Sequence, residues 1–309
     1  MLVILMFFYI SIIIGIILLS FGGDYLVKGS SGLARKLNIS PMIIGIVIIG
    51  FGTSVPEIFV ASNAVINNSS DIALGSVVGS NIANILLVFS FGLLIAKDNI
   101  LKVVSIGDMF VMLAVTLLLS IFLIIGSIKT PLSFLMILLL PIYFYCSYSF
   151  FNKNIEIDEI DANDNYLKLS ISIFVGFFLL FLGSDIFIKG LKDFAAYYNI
   201  PEAVLGLTLA AIGTSLPELA VTFASVKNKA EKVLLGNILG SNIINVLGAL
   251  GISSLFGAII VPENFSFISL YYLIFSALWL YLLTRIQTKK IYLGSFGLAL
   301  YVIYIISLY

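Results

Sequence analysis

The chain has 309 residues, of which 61% are hydrophobic and 10% charged, and its 16 basic and 16 acidic residues cancel. Soluble globular chains carry roughly 25% charged residues, so most of this chain is built for lipid and no stretch remains for a soluble catalytic domain. Histidine is absent, which removes the commonest transition-metal ligand and the usual neutral-pH proton shuttle. The single cysteine, Cys146, permits no intrachain disulfide and reads as a small apolar packing residue.

A hydrocarbon core about 30 Å thick takes roughly 20 apolar residues per helix. Ten such stretches follow one another, at 2–20, 41–66, 72–96, 103–126, 131–151, 166–188, 202–226, 233–256, 265–284 and 291–308. They predict an all-α integral membrane protein of ten transmembrane helices. The first stretch has no basic n-region and no small-residue cleavage site before Asp24, so it reads as a retained span. Between the fifth and sixth lies Asn152 to Asn165, rich in Glu156, Asp158, Glu159, Asp161 and Asp164. This run lacks the glycine turn and spacing of an EF-hand loop and reads as a solvated linker. Of the Lys and Arg residues, thirteen fall in one set of alternate connections and three, Lys129, Lys189 and Lys192, in the other. Basic residues accumulate in cytoplasmic loops, so the linker is expected inside the cell membrane and both termini outside.

Shifted by 161 residues, Gly22 to Leu86 aligns with Gly183 to Leu247 without a gap, and about 24 of the 65 pairs are identical. The matches include Asp24 with Asp185, Lys28 with Lys189, Asn38 with Asn199 and Gly45 with Gly206. These are polar residues and glycines, which shared lipid exposure does not produce. The organisation expected is a five-helix repeat over 1–151, the linker over 152–165 and a second repeat over 166–309. Five spans per copy make the second enter the membrane inverted, as in many secondary transporters.

Two acidic residues, Glu57 and Glu218, fall well inside apolar segments, where an ionised side chain costs at least roughly 2.5 kcal/mol. A buried basic partner would be the ordinary structural account, but no Lys or Arg lies between Lys36 and Lys97 or between Lys192 and Lys227. A mobile cation is the partner that remains. Each glutamate ends a helix-breaking hexad, Gly52-Thr53-Ser54-Val55-Pro56-Glu57 and Gly213-Thr214-Ser215-Leu216-Pro217-Glu218. Proline removes a backbone donor and clashes with the carbonyl four residues back, which frees oxygens around Gly50 to Thr53 and Ala211 to Thr214. Hard cations such as calcium take six to eight oxygen ligands.

Twenty-seven residues beyond each glutamate stands an asparagine, Asn84 or Asn245, closing Gly79-Ser80-Asn81-Ile82-Ala83-Asn84 and Gly240-Ser241-Asn242-Ile243-Ile244-Asn245. The Ser and distal Asn are four apart and share a helix face, giving Ser80, Ser241, Asn84 and Asn245 a pore-lining position. For Asn81 and Asn242, lining and interhelical hydrogen bonding are equally open. Gly75, Gly79, Gly236 and Gly240 recur at the small-xxx-small spacing that lets helices approach closely. Asp24 with Lys28 and Asp185 with Lys189 read as helical surface pairs, and Asp108, near a span end, as an acid snorkelling to the interface.

Paired GTSxPE hexads followed by GSN-x-x-N blocks resemble the alpha repeats of the calcium/cation antiporter superfamily, in its sodium/calcium exchanger branch, and the compact prokaryotic members of that branch. The resemblance covers essentially the whole chain. It implies a non-enzymatic antiporter of ten helices with four ion sites between the second, third, seventh and eighth. Calcium would sit between Glu57 and Glu218 with the carbonyls of Thr53 and Thr214. Sodium would use those glutamates with Gly50, Ser54, Ser80, Ala211, Ser215 and Ser241, three ions per calcium, while the first and sixth helices slide across the core. The transported ions and the bilayer are then the partners, with no cofactor, nucleic acid or obligatory protein partner. Asn245 stands where some members carry an aspartate, which argues against potassium cotransport. Two rivals are weighed. A calcium/proton antiporter would protonate the same glutamates, although proton-coupled relatives carry a different hexad. An intramembrane protease would need a second catalytic aspartate or a Ser/His or Ser/Lys pair, and no lysine lies inside a span.

Overall fold

The computed structural model describes residues 2–96, 105–128, 130–151, 165–198, 213–261, 267–284 and 290–308. In chain order the helices are α1 (Leu2–Leu37), α2 (Pro41–Thr53), α3 (Val55–Ile66), α4 (Ser70–Ile95), α5 (Ile106–Ile125), α6 (Thr130–Cys146), α7 (Tyr166–Tyr197), α8 (Leu216–Lys227), α9 (Glu231–Ser253), α10 (Phe267–Leu283) and α11 (Lys290–Ser307). Seven of these stretches are long and apolar enough to cross a bilayer, eight if the bent pair α2 and α3 is one span, and α10 is a shorter apolar helix. The chain is thus an almost wholly helical multi-pass membrane protein. Residues 202–212 of the seventh predicted span lie outside the described residues, as do residues 152–164 of the linker.

Burial ranks the helices. The most apolar window of α9 is wholly buried, against 22% for the corresponding window of α7. Polar and small residues along α4 and α9, unusable against lipid, place these two helices at the centre. The main apolar core surrounds them, with Leu74, Ile82, Phe89, Leu119, Leu235, Ile243 and Leu280. A smaller cluster of Leu26, Val27, Leu180, Val221 and Ala224 joins α1 and α7 to α8. The outer faces of α1 and α7 stay open, with Ile13, Phe21, Phe174 and Phe178 exposed as side chains suited to lipid.

Glycine decides how α1 meets α7. A Cβ on Gly15 would lie 2.9 Å from the Gly183 carbonyl oxygen, and one on Gly22 3.0 Å from the Gly176 carbonyl oxygen. The partners descend as the numbering ascends, so the two helices run antiparallel along a glycine seam. Both are longer than predicted, 36 and 32 residues, because the polar ends 21–37 and 189–197 continue the helix.

The sequence duplication reappears as geometry. Asn68 and Lys229, 161 positions apart, both take positive φ, 56° and 54°. In each copy the following amide bonds back across the turn, Ser69 to Ala64 and Ala230 to Ser225, both at 2.8 Å. Elsewhere a short antiparallel pairing, β1 (Ser127–Ile128) with β2 (Ile259–Ile260), ties the end of α5 to the segment after α9.

Two expectations are corrected. Asp108 does not reach the interface: it is fully buried in α5 and accepts a hydrogen bond from the Tyr143 hydroxyl at 3.1 Å. Asp24 pairs with Lys227 of α8 rather than with Lys28, and also accepts from Asn228 Nδ2 at 3.1 Å. Both differences come from tertiary partners that a reading along one helix does not see.

Candidate functional site

The first hexad breaks its helix at Ser54. Pro56 occupies the first turn of α3, where a missing N–H costs nothing, and α2 and α3 meet at 41°. The second hexad is built alike, with Pro217 in the first turn of α8. The amides of Ile58 and Leu219 then bond to the Ser54 and Ser215 carbonyls at 3.1 and 3.0 Å. Glu57 and Glu218 therefore sit in the first turns of α3 and α8, where the helix dipole favours negative charge.

Three π-helical segments adjoin the site: Gly45–Gly50 before the first hexad, and Asn84–Phe89 and Asn245–Leu250, which begin on the closing asparagines of the two GSN blocks. Such turns are rare and gather at functional positions because they disturb the regular backbone ladder. A close backbone approach accompanies them. A Cβ on Gly236 would lie 2.3 Å from the Met42 carbonyl oxygen, and one on Gly240 2.8 Å from that of Ile46. Helix α9 thus lies directly against α2, as the small-residue spacing predicted. Among the described residues nothing comes within 4 Å of a Cβ on Gly75 or Gly79.

Both glutamates are fully buried. One Glu57 carboxylate oxygen accepts from the Ser80 hydroxyl at 3.0 Å, and Ser80 Oγ lies 3.0 Å from Thr214 Oγ1. Thr53 donates to Asn237 Oδ1 at 3.1 Å, and its Oγ1 lies 3.2 Å from Ser241 Oγ. The hexads are cross-connected: the Glu57 carboxylate interacts with the Thr214 hydroxyl, and Glu218 with Glu57 and the Thr53 hydroxyl. The four helical units that carry the hexads and GSN blocks therefore meet in one polar centre inside an apolar bundle.

Several oxygens in this centre have no hydrogen-bond partner among the described residues. They are the second Glu57 oxygen, both Glu218 oxygens, the hydroxyls of Ser54 and Ser215, and the amide oxygens of Asn84 and Asn245. Native interiors leave few such atoms, each costing about 1–3 kcal/mol. Here they lie on the predicted residues, and all are hard oxygen donors. No group of three His, Cys, Asp or Glu side chains converges among the described residues. A cation here would therefore take two carboxylates and complete its shell with hydroxyl, amide and carbonyl oxygens, a donor set suited to calcium and sodium.

Other predicted residues have different surroundings. The Gly50 carbonyl already accepts the Ser54 amide at 3.1 Å, and Ala211 lies outside the described residues. Asn81 holds helices together: its Nδ2 donates to the Asn242 carbonyl at 3.1 Å and its Oδ1 accepts from Asn245 Nδ2 at 3.1 Å, whereas Asn242 Nδ2 bonds back within α9 to the Ile238 carbonyl at 2.8 Å. Asn237 was missed. It is fully buried, one turn before Ser241 on the same face of α9. Its repeat counterpart is Ser76, so a search for identical pairs passes over it, whereas a search for polar pairs would have found it.

Comparison with known proteins agrees with this architecture. Residues 7–149 and 168–309 match the family described as sodium/calcium exchanger protein. An uncharacterised membrane protein of Methanocaldococcus jannaschii is 33% identical over 302 residues, 96% of each chain. The sodium/calcium exchanger MaX1 of Methanosarcina acetivorans is 28% identical over 306 residues, 82% of this chain and 85% of that one. A structure of the sodium-calcium exchanger NCX_Mj soaked with Na+ and Sr2+ superposes with a TM-score of 0.82 at 30% identity, covering 97% of this chain and 98% of the other. Two matched halves, each carrying one hexad and one GSN block, and a shared fold over nearly the whole length lead to one conclusion: this chain belongs to the sodium/calcium exchanger protein family.

Proposed function

We propose that the protein is a secondary antiporter that exchanges sodium for calcium through the polar centre between α2, α3, α4, α8 and α9. The observation that carries this is a pair of fully buried glutamates surrounded by hydroxyl and amide oxygens in segments without any Lys or Arg. Calcium takes Glu57 and Glu218 with the carbonyls of Thr53 and Thr214. Sodium takes the same carboxylates with Gly50, Ser54, Ser80, Ala211, Ser215 and Ser241, and Asn84 and Asn245 complete the lining. Shared ligands make the two ions competitors, so one displaces the other.

Ten crossings in two inverted five-helix halves, 1–151 and 166–309 about a cytoplasmic linker at 152–165, follow from the same reading. The antiparallel run of α1 against its repeat counterpart α7 and the duplicated turns at Asn68 and Lys229 support it. Thin glycine contacts suit α1 and α7 to slide: Gly52 leaves room for the Phe177 ring, and a Cβ on Gly23 would lie 2.7 Å from the Ala220 carbonyl oxygen. The termini face outside, and three sodium ions move per calcium.

Purified protein in sodium-loaded liposomes should take up calcium when diluted into sodium-free buffer. A proton gradient of equal size should drive little. Uptake driven by protons and indifferent to sodium would replace this reading with calcium/proton exchange.

A further inference from the structure

The two halves of the centre are not equivalent, and one difference lies at the pair Ser76 and Asn237. In the second half Asn237 Oδ1 takes the Thr53 hydroxyl proton at 3.1 Å. Its repeat counterpart Ser76 has a buried hydroxyl without a partner among the described residues. The glutamates differ as well, at Ser80 and its counterpart Ser241. Glu57 accepts from Ser80, whereas neither Glu218 oxygen has a hydrogen-bond partner among the described residues, although the Thr53 hydroxyl is its neighbour.

A hydroxyl carries one proton. Directed at a carboxylate, that proton occupies a lone pair a cation would use. Directed elsewhere, it leaves the carboxylate bare and turns the hydroxyl oxygen's own lone pairs outward. At Thr53 the Asn237 amide oxygen, at 3.1 Å, is the nearest acceptor that supplies the second arrangement, with the Gly50 carbonyl further off at 3.4 Å. Ser241, beside Thr53 at 3.2 Å, donates to the Gly50 carbonyl at 3.5 Å and adds no proton to Glu218.

We propose that Asn237 is a positioning residue that draws the Thr53 hydroxyl proton away from Glu218, making the Glu218, Thr53 and Ser241 side the stronger cation-holding half of the centre. This rests on the reading of the centre as the exchange site. Asn237 touches no ion; it acts through Thr53. With a shorter side chain at 237, the Thr53 hydroxyl turns to the charged acceptor beside it and competes with the cation there.

The test compares three proteins in proteoliposomes by initial rates of radioactive calcium uptake: the parent, Asn237→Ser, and the exchanged pair Ser76→Asn with Asn237→Ser. Position 76 precedes Ser80 by one turn, as 237 precedes Ser241, and Ser80 meets Thr214, so an asparagine at 76 gives the first half the arrangement the second has lost. The single variant should raise the apparent calcium KM about tenfold, the order expected when a hydrogen bond to a charged group competes with binding, with the maximal rate within about twofold. The exchanged pair should recover most of the affinity. A parent KM in Asn237→Ser, or a lowered maximal rate that the exchange does not rescue, would overturn the proposal. If Asn237→Ser does not fold by size-exclusion chromatography, Asn237→Asp retains the acceptor and should bind calcium at least as tightly as the parent; a weaker KM there overturns it too. A parent without sodium-driven uptake would instead count against the exchange reading itself.

Discussion

Substituting Gly236 by alanine tests the close approach that forms the site. A Cβ there would lie 2.3 Å from the Met42 carbonyl oxygen, 3.0 Å from Gly45 Cα and 3.1 Å from the Ile46 amide nitrogen, all backbone atoms. Real Cβ atoms essentially never come within 3.0 Å of another heavy atom, so α9 must retreat from α2 by at least about 0.7 Å, the difference between 3.0 and 2.3 Å. The same two helices hold the contacts of Thr53 with Asn237 and Ser241, at 3.1 and 3.2 Å. A retreat of that size carries both past hydrogen-bonding range. Overpacking of this kind costs about 1–3 kcal/mol, so Gly236→Ala should melt several degrees below the parent in detergent. Its calcium affinity in proteoliposomes should fall at least about tenfold, since 1.4 kcal/mol is a factor of ten. Gly248→Ala on the same helix is the control: its Cβ would meet only the ends of the Ile244 and Leu140 side chains, at 3.3 and 3.5 Å. Parent-like stability and transport in Gly236→Ala, or equal damage in Gly248→Ala, would refute the argument that backbone contact between α2 and α9 sets the site.

Glu57→Gln and Glu218→Gln keep size while deleting a charge. Removing one partner of a buried charge set costs about 3–5 kcal/mol, or two to four orders of magnitude in affinity, so both should fold yet fail to transport calcium in the liposome assay, and a near-parent rate in either removes that glutamate from the ligand set. Lys227→Met breaks the ion pair with Asp24, but Lys227 is half exposed, so thermal stability should change by under about 1 kcal/mol, and a larger drop measured by thermal denaturation would mean that this contact holds α1 to α8. A cysteine placed in the linker at Glu156 should resist an impermeant thiol reagent in intact cells, and labelling from outside would reverse the orientation. If three sodium ions leave for each calcium that enters, one net charge moves per cycle, worth about 2.3 kcal/mol per 100 mV; an inside-positive potential set with potassium and valinomycin should speed uptake into sodium-loaded vesicles, and indifference to voltage of either sign would argue for electroneutral exchange.

Much of this was legible in sequence because membrane burial narrows the alternatives. An acidic residue in lipid must be neutralised, and the want of any basic residue near Glu57 and Glu218 could be read by counting. The hexads announced their break through proline, and Gly236 and Gly240 their contact through spacing. What was lost depended on neighbours from other helices. Asp108 looked like an interfacial acid until Tyr143 of α6 proved to face it. Asp24 has a lysine one turn away in sequence, but the one it pairs with is 203 residues distant. Asn237 escaped because repeat identity was the filter, and its counterpart Ser76 is polar but not identical.

The buried charge of the centre bears on why the protein would exchange ions rather than leak them. An empty centre holds two buried carboxylates that repel one another, with no cationic side chain in the hexad segments to offset them. Closing the bundle over that charge costs several kcal/mol, because water that solvates the carboxylates in the open state has been stripped away. On the proposed reading, calcium would cancel the charge and satisfy the unpartnered oxygens, and sodium ions at the same oxygens would do so by number. The loaded carrier can therefore close and reopen on the opposite side far more readily than the empty one. If a return journey requires a cation, exchange would follow from the electrostatics of the proposed site. On the proposed reading, α1 and α7, packed on each other along a glycine seam and on α8 through a small apolar cluster apart from the main core, would be the pair that moves, while the helices that carry the hexads and GSN blocks hold the ligands.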